Sequence, residues 1–200
     1  MIHPNTEVRF IDDDKGYGLF ATNFIPCGTI TWSLDELDRE LTPAEMERYD
    51  ALFRDIILKY SFRNNKGNYV FCWDNCRYIN HSFNANCCLT PYNFEIAVKD
   101  IDVGEELTDD YGYLNIIDPF TAINEGCDRT VVYPDDLLRY SDSWDKLIEA
   151  AFPRLMQVQQ PLQKFLPVET WDTLKAIHQG NCRLLSIRTC YYNSDIDLQK

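Results

Sequence analysis

The sequence predicts a mainly β domain that also contains α-helices. A β-rich body extends to about residue 115, carries one helical insertion, and is followed by a helical tail. Two observations predict this organisation: short extended-type runs alternate with turn signals in the first half, and apolar residues recur at helical spacing after about residue 134. The 200 residues suffice for one domain with a sizeable core and a C-terminal extension.

Five short runs predict the strands of the body, because β-branched and aromatic residues are bounded there by turn residues. Between the first two runs lies a turn with two glycines around one residue, Gly16 and Gly18. Such a turn is typical of a hairpin, and glycine also lets a ligand approach the backbone closely. The five runs are residues 8–11, 19–21, 29–32, 69–73 and 94–98.

A helix is predicted inside the body, within an insertion at about residues 36–66. Thr42 is typical of an N-cap, Pro43 of the first helical position, and Glu45 of the third position of a capping box. We expect one continuous helix that ends near Tyr60, before a strong turn signal. Its apolar positions at helical spacing are Met46, Tyr49, Phe53, Ile56, Ile57 and Tyr60.

The tail predicts two further helices. The first has one apolar face and is interrupted at Pro153, because proline breaks the helical hydrogen-bond ladder. The second begins near Val168 and ends at Gly180, a typical C-terminal stop. The apolar face of the first helix comprises Trp144, Leu147, Ile148, Ala151 and Leu155, and that of the second comprises Val168, Trp171, Leu174 and Ile177.

The charge balance bears on the class of partner. With 19 basic and 32 acidic residues the net charge is -13, which argues against direct nucleic-acid binding because phosphate must be neutralised by basic patches. It favours the approach of a cationic partner through long-range attraction, although solubility alone would also explain an acidic surface.

The cysteines and the apolar runs bear on localisation. The eight cysteines include no Cys-x-x-Cys pair and no spacing typical of structural zinc, so we expect reduced and mostly buried thiols in a cytoplasmic protein. Residues 1–9 lack the apolar centre of a signal peptide. No apolar run approaches the roughly 20 residues that span a bilayer, so no membrane partner is expected.

Two polar segments about thirty residues apart are candidates for a functional site. Residues 77–82 (Arg-Tyr-Ile-Asn-His-Ser) gather hydrogen-bonding side chains, and residues 104–111 (Gly-Glu-Glu-Leu-Thr-Asp-Asp-Tyr) end with carboxylates and a tyrosine. Taken singly, each segment is also explained as a turn, a cap or an edge strand. A nucleophilic pair of His81 with Cys87 or Cys88 would lack an accompanying oxyanion-hole element.

In this order and spacing, the motifs resemble those of the SET-domain protein lysine methyltransferases. The family pattern begins with a Gly-x-Gly turn, matched by residues 16–18. It continues with Arg-Phe/Tyr-x-Asn-His-Ser and then Pro-Asn, matched by residues 77–82 and by Asn86. It ends with Gly-Glu-Glu-Leu-Thr-x-Asp-Tyr, matched by residues 104–111.

The resemblance covers roughly residues 5–115 and implies a SET domain there, with the helical insertion as its variable part. Residues 116–200 would form a post-SET segment and a helical C-terminal extension. The implied fold consists of several small β-sheets with a knot-like crossing, in which the two polar segments come together. Such a crossing is an exception, because protein chains are almost never threaded through loops.

The resemblance also implies a site for S-adenosylmethionine on one face and an aromatic channel for a substrate lysine on the other. Tyr111 would orient the amine near the sulfonium rather than act as a base, and Tyr69 and Tyr78 are candidates for the channel wall. Free lysine has a pKa near 10.4, so a neutral amine at pH 7 costs about 4–5 kcal/mol, which a dry channel beside a sulfonium would reduce. The implied cofactor-binding residues are Gly16, Tyr17, Gly18, Asn80, His81 and Tyr111.

Three departures from the family pattern qualify what it implies. Ala85 replaces the usual proline, and Asp109 in the channel replaces an aromatic residue that helps to set the number of methyl groups, so the usual rule for product state does not apply. Phe83 replaces a zinc-ligating cysteine and residues 120–129 hold only Cys127, so we expect no zinc. The far wall of the channel would then come from Phe120, Trp144 or Trp171.

The expected function is therefore S-adenosylmethionine-dependent methylation of a lysine amine in a protein substrate. A basic protein, histone-like or other, would suit the acidic surface. The alternative is a catalytically weak or inactive SET-like module that binds a protein or peptide, since a fold alone does not establish activity. Asp109 and the missing zinc ligands favour that alternative, whereas the presence of Asn80, His81 and Tyr111 opposes it.

Overall fold

The computed structural model describes residues 1–193, which form twelve short strands in four small sheets and four α-helices. The end of the predicted C-terminal extension, residues 194–200, lies outside the described residues. The helices are α1 (Pro43–Met46), α2 (Ala51–Lys59), α3 (Asp136–Ala151) and α4 (Val168–His178). The strands are β1 (Thr6–Asp12), β2 (Gly16–Ala21), β3 (Ile30–Ser33), β4 (Arg39–Leu41), β5 (Ser61–Arg63), β6 (Tyr69–Phe71), β7 (Asn80–His81), β8 (Cys87–Leu89), β9 (Phe94–Ala97), β10 (Glu106–Asp109), β11 (Phe120–Thr121) and β12 (Val131–Val132).

The first sheet brings the two polar segments together. Its strand order is β1-β2-β10-β7, with β1 and β2 joined as an antiparallel hairpin and β10 antiparallel to β2. The last pair, β10 and β7, is parallel and places Thr108 opposite Asn80 and Asp109 opposite His81. The prediction that residues 77–82 and 104–111 meet is thereby confirmed, and Gly16 takes the positive φ of 76° that the hairpin requires.

Two further three-stranded sheets enclose the core beside this one. One has the order β3-β9-β8 and the other, within the insertion, has the order β4-β6-β5. Trp32 of β3 is almost fully buried and packs edge-on against Phe62 of β5, with ring centroids 5.7 Å apart. The predicted strands of the body therefore form, each within a few residues of its expected bounds.

The insertion differs from the prediction of one continuous helix, which is wrong. The capping box of Thr42 and Glu45 starts α1 as expected, but α1 ends at Met46 and α2 starts after a new N-cap, Asp50, whose carboxylate accepts from the Phe53 backbone N–H at 3.0 Å. A short side chain that caps backbone N–H groups favours a new start over continuation. The helix does end near Tyr60, as predicted.

The tail follows the prediction closely. Helix α3 buries Trp144, Ile148 and Ala151, although Leu147 is largely exposed. Pro153 lies in a 3₁₀ turn that ends the helix. Helix α4 buries Leu174 and is followed by Gly180 at φ 76°, but Val168, which was predicted on its apolar face, is 71% exposed.

The eight cysteines are all free thiols, four of them buried, two intermediate and two exposed. Within residues 1–193, none of the helices combines the length and the hydrophobicity needed to cross a bilayer.

Candidate active site

Asn80 ties three segments together at the junction of β2, β10 and β7. Its side-chain amide donates to the carbonyl oxygen of Tyr17 at 3.0 Å and to Oε1 of Glu106 at 2.7 Å. The glycine turn, the Asn-His strand and the acidic strand are thus joined through one side chain. This explains why an asparagine, which can donate two directed hydrogen bonds, stands at this position.

Gly18 is closely packed at this junction. A Cβ atom at Gly18 would lie 2.5 Å from Oε1 of Glu106, 2.6 Å from Cδ1 of Ile11 and 3.1 Å from Nδ2 of Asn80. By contrast, a Cβ atom at Gly16 would meet no atom within 4 Å, although the positive φ there disfavours other residues. The open space at Gly16 leaves its backbone accessible.

His81 carries an unused donor beside Tyr111. Its Nδ1 accepts the backbone N–H of Tyr111 at 3.1 Å, and burial lowers the pKa of the imidazole, so the neutral ring carries its proton on Nε2. Within residues 1–193, this buried Nε2 has no hydrogen-bond partner. The rings of Phe83, Tyr111 and Phe120 surround the imidazole at centroid distances of 4.5, 5.5 and 5.6 Å.

Tyr111 is held by its hydroxyl as well as by its backbone. The hydroxyl donates to the carbonyl oxygen of Ile79 at 2.7 Å. Burial, together with the carboxylates of Asp109 and Glu106, raises the pKa of this phenol well above its usual value near 10. Tyr111 therefore stays protonated at neutral pH, so it can orient a partner but is a poor base.

A cavity of about 340 Å³ opens next to Tyr111. Asp109 at the end of β10 and Tyr111 in the 3₁₀ turn after it line the cavity, and Tyr69 lines it from the insertion. Further apolar wall comes from β3, the end of α2, and β5, contributed by Trp32, Tyr60 and Phe62. The cavity lining therefore combines aromatic and other apolar side chains with the carboxyl group of Asp109.

Four residues that were expected at the channel lie elsewhere. The ring of Tyr78 contacts those of Tyr17 and Tyr60, each at 6.0 Å, and is absent from the cavity lining. Trp144 of α3 packs edge-on against Tyr113, and Trp171 of α4 packs against a buried apolar cluster that includes Leu174. Phe120 lies beside His81 and Tyr111 but is absent from the cavity lining. The insertion and residues 114–118, rather than these aromatic residues, complete the cavity wall.

Glu95 is a functional candidate that the sequence did not identify. It occupies a strand, β9, in which every residue is buried, and it lines the cavity beside Asp109. The feature that could have identified it is an acidic residue within an otherwise apolar strand. Alternation of apolar and polar residues predicted that Glu95 is exposed, whereas the structure buries it.

Asp109 and Glu95 share a strongly perturbed environment. The hydroxyl of Tyr113 donates to Oδ1 of Asp109 at 2.7 Å, and the carboxyl groups of Glu95 and Asp109 lie within hydrogen-bonding reach of each other. Burial raises the pKa of Asp109 to about 6. Burial, and next the neighbouring carboxylate of Asp109, raise the pKa of Glu95 well above its usual range.

An ion-pair cluster fixes the tail to the residue before Tyr111. The guanidinium of Arg129 pairs with the buried carboxylates of Asp110 and Asp136, the second at 2.8 Å. It also lies 4.2 Å from the ring centroid of Tyr140. The start of α3 is therefore connected directly to the Asp110–Tyr111 step.

A family model described as SET domain matches residues 16–112, which include the glycine turn, the Asn-His strand and Tyr111. No curated protein matches the chain. The predicted domain limits, residues 5–115 and 116–200, stay a prediction. Among residues 1–193, no group of three or more His, Cys, Asp or Glu side chains is arranged to hold a metal ion, and the absence of zinc also stays a prediction.

Proposed function

The chain belongs to the SET-domain family through residues 16–112, and from this premise we propose that it transfers the methyl group of S-adenosylmethionine to a lysine side chain of a protein. One observation carries the proposal. Asn80, His81 and Tyr111 converge with the glycine turn at one junction, and Tyr111 also lines a cavity with aromatic walls. A binding module would need the cavity but not the junction.

The residues at the junction fit the proposed methyl donor, which supplies an activated methyl group on a positively charged sulfur. The buried N–H at Nε2 of His81 lacks a partner, and a buried donor of this kind is rare unless a ligand or water satisfies it. Three aromatic rings around His81 provide a surface for a purine. The residues that would hold the donor are Gly16, Tyr17, Gly18, Asn80, His81 and Tyr111.

The cavity fits the proposed acceptor. A lysine side chain is a thin aliphatic stem with a cationic end, and aromatic walls suit the stem while acidic groups suit the end. The cavity has aromatic walls and two carboxyl groups, Glu95 and Asp109. The net charge of -13 would further attract a basic protein, histone-like or other.

Tyr111 is assigned to align the reacting groups. Its hydroxyl donates to Ile79, which leaves lone pairs on the phenol oxygen that can accept a hydrogen bond from a group in the cavity. Since the sulfur-bound methyl group is already activated, the principal task of the protein is to hold the amine in line with the carbon–sulfur bond. Rigid attachment of Tyr111 at its N–H and its hydroxyl serves that task.

The experiment incubates the protein with S-adenosylmethionine labelled in its methyl group, together with core histones and a cell lysate. Tyr111→Phe is the test variant, and Tyr133→Phe, which alters an exposed tyrosine at the start of the tail, is the matched control. We expect label in protein with the parent and the control, and at least a hundredfold slower transfer with Tyr111→Phe. Absence of both transfer and calorimetric binding of S-adenosylmethionine would refute the proposal. Binding without transfer would favour the inactive-module alternative.

A further inference from the structure

We propose that Glu95 and Asp109 form a carboxyl pair that binds the substrate ammonium inside the cavity and accepts its proton. The inference rests on the proposed function, and it assigns to this chain a proton acceptor distinct from Tyr111. It also gives Asp109, which stands where the family pattern has an aromatic residue, a chemical role in the reaction.

The two carboxyl groups come from different sheets and meet at the cavity. Glu95 lies in β9 of the second sheet, and Asp109 ends β10 of the first sheet. Glu95 is 6% exposed and Asp109 is 3% exposed, yet both line the cavity. Their burial excludes an ordinary surface role, since acidic residues are almost never buried unless they are paired.

The pair keeps acceptor capacity toward the cavity. Oδ1 of Asp109 accepts the hydroxyl hydrogen of Tyr113, which fixes that carboxyl group. Glu95 lies within hydrogen-bonding reach of the same carboxyl group, so the two can share one proton. The remaining lone pairs of Asp109, which lines the cavity, can accept from a cationic N–H donor.

The pair carries one negative charge near neutral pH. Burial raises the pKa of both carboxyl groups, that of Asp109 to about 6, and two buried carboxylates so close together favour one shared proton over double ionisation. Burial raises the pKa of Asp109, whereas the hydrogen bonds from Tyr113 and Glu95 lower it, so burial is what makes this carboxylate a better proton acceptor than an exposed aspartate. An ammonium group therefore enters a site with a single compensating charge.

Two of the cations around the cavity have contacts of their own, and the ammonium of Met1 partly offsets the raised pKa of Glu95. The guanidinium of Arg77 lies 5.7 Å from the ring centroid of Tyr60 and donates to the carbonyl oxygen of Trp73, and that of Arg63 lies 4.4 Å from the ring centroid of Tyr192. The remaining titratable groups of the lining are Lys59, Tyr60, Tyr69, Cys72, Cys76, Tyr111 and Asp118. Four groups outside the lining interact electrostatically with Glu95 or Asp109, namely Asp110, Tyr113, Cys87 and Cys88.

The step transfers one proton and then one methyl group. An N–H bond of the ammonium breaks, its electron pair stays on nitrogen, and the proton forms an O–H bond with the carboxylate of Asp109. The neutral amine then bonds to the methyl carbon while the carbon–sulfur bond breaks and its electrons remain on sulfur. The product leaves as a methylammonium with a neutral thioether, and the carboxyl proton returns to solvent.

Binding of small amines tests the pair independently of methyl transfer. n-Butylammonium copies the end of a lysine side chain, and n-butyltrimethylammonium has the same charge but no proton to donate. By calorimetry at pH 8 we expect the first to bind at least tenfold more tightly than the second. In Asp109→Asn and in Glu95→Gln this preference should disappear, whereas Asp172→Asn, an exposed acid in α4, should keep it. Thermal melts establish that each variant is folded.

An equal affinity of the parent protein for both amines would overturn the inference, as would an unchanged preference in Asp109→Asn. The preference should also weaken in the parent between pH 8 and pH 5, as Asp109 takes up its proton. A preference that does not change over this range would likewise contradict the role of the carboxylate.

The rate of methyl transfer supplies a second readout. Transfer by Asp109→Asn should be at least a hundredfold slower than by the parent at pH 7, within the range typical of lost acid–base catalysis. It should recover toward the parent rate near pH 10, where lysine itself becomes neutral. A uniform loss at all pH values would indicate a structural role. If the amines bind as expected but no methyl group is transferred, the proposed function fails and the carboxyl pair stands.

Discussion

The backbone N–H of Tyr111 donates to Nδ1 of His81 across the parallel pair of β7 and β10, at 3.1 Å. Two residues that are thirty positions apart are thereby fixed through one neutral imidazole. The bond sets both the tautomer of His81 and the position from which the Tyr111 side chain extends. Any change that protonates or removes the imidazole will therefore move the tyrosine.

We predict that His81→Phe lowers the free energy of unfolding by about 1–3 kcal/mol, because the N–H of Tyr111 loses its acceptor in a largely buried site. The aromatic packing with Phe83 and Phe120 should be kept by the new ring. Urea unfolding measures the change, and His178→Phe, at an exposed histidine in α4, is the control. A stability equal to that of the parent would show that the bond contributes nothing.

We predict that Gly18→Ala destabilises the protein by about 1–3 kcal/mol, because the new methyl group overlaps the Glu106 carboxylate and a side chain of β1. The same overlap should displace the amide of Asn80 and weaken calorimetric binding of S-adenosylmethionine. Gly126→Ala is the control: it meets no atom within 4 Å and tests only the strain of a positive φ, 76°. Equal cofactor affinity in both variants would contradict a link between the turn and the cofactor site.

We predict opposite pH dependences of stability from His3 and Asp109. Burial lowers the pKa of His3 from 6.5 to about 4, so the unfolded chain binds more protons in that range and His3 makes stability fall as the pH falls. The pKa of Asp109 is raised from 3.8 to about 6, so the native chain binds more protons and Asp109 makes stability rise as the pH falls. Each contribution is roughly 3 kcal/mol at most.

Urea titrations at pH 4.5 and pH 7.5 measure both contributions. His3→Asn should gain stability relative to the parent at pH 4.5, whereas Asp109→Asn should gain stability at pH 7.5, where the parent carries an uncompensated buried carboxylate. Gains at the opposite pH values would reverse the assignment of the two groups. A variant that is more stable and also slower in methyl transfer would be typical of a site in which function opposes stability.

We predict that Arg129→Met destabilises the protein by about 3–5 kcal/mol, because it leaves two buried carboxylates, Asp110 and Asp136, without their cation. The double variant Arg129→Met with Asp136→Asn should recover part of this loss, since one of the stranded charges is removed. Chemical denaturation of the single and double variants measures the coupling. A simple sum of the two single effects would exclude a shared ion-pair cluster.

Much of the site could be predicted because its polar residues occur in sequence motifs with a defined order and spacing. Asn80, His81 and Tyr111 belong to the quoted motifs, and the structure brings them together at one junction. Glu95 was not predicted because period-two alternation predicts that an acidic residue in a strand is exposed. In the structure, every residue of β9 is buried. The break at Asp50 escaped prediction because an N-cap interrupts a helix without altering its apolar period.

The walls of the cavity come from three different sheets, with Trp32 from the second, Tyr69 from the third, and Asp109 from the first. Contacts between residues so far apart in the chain form only after long loops have closed, which slows folding. We therefore expect the cavity to be acquired late during refolding, after local turns and helices. A chain that has regained its helical circular dichroism should still lack the cavity until the three sheets have docked.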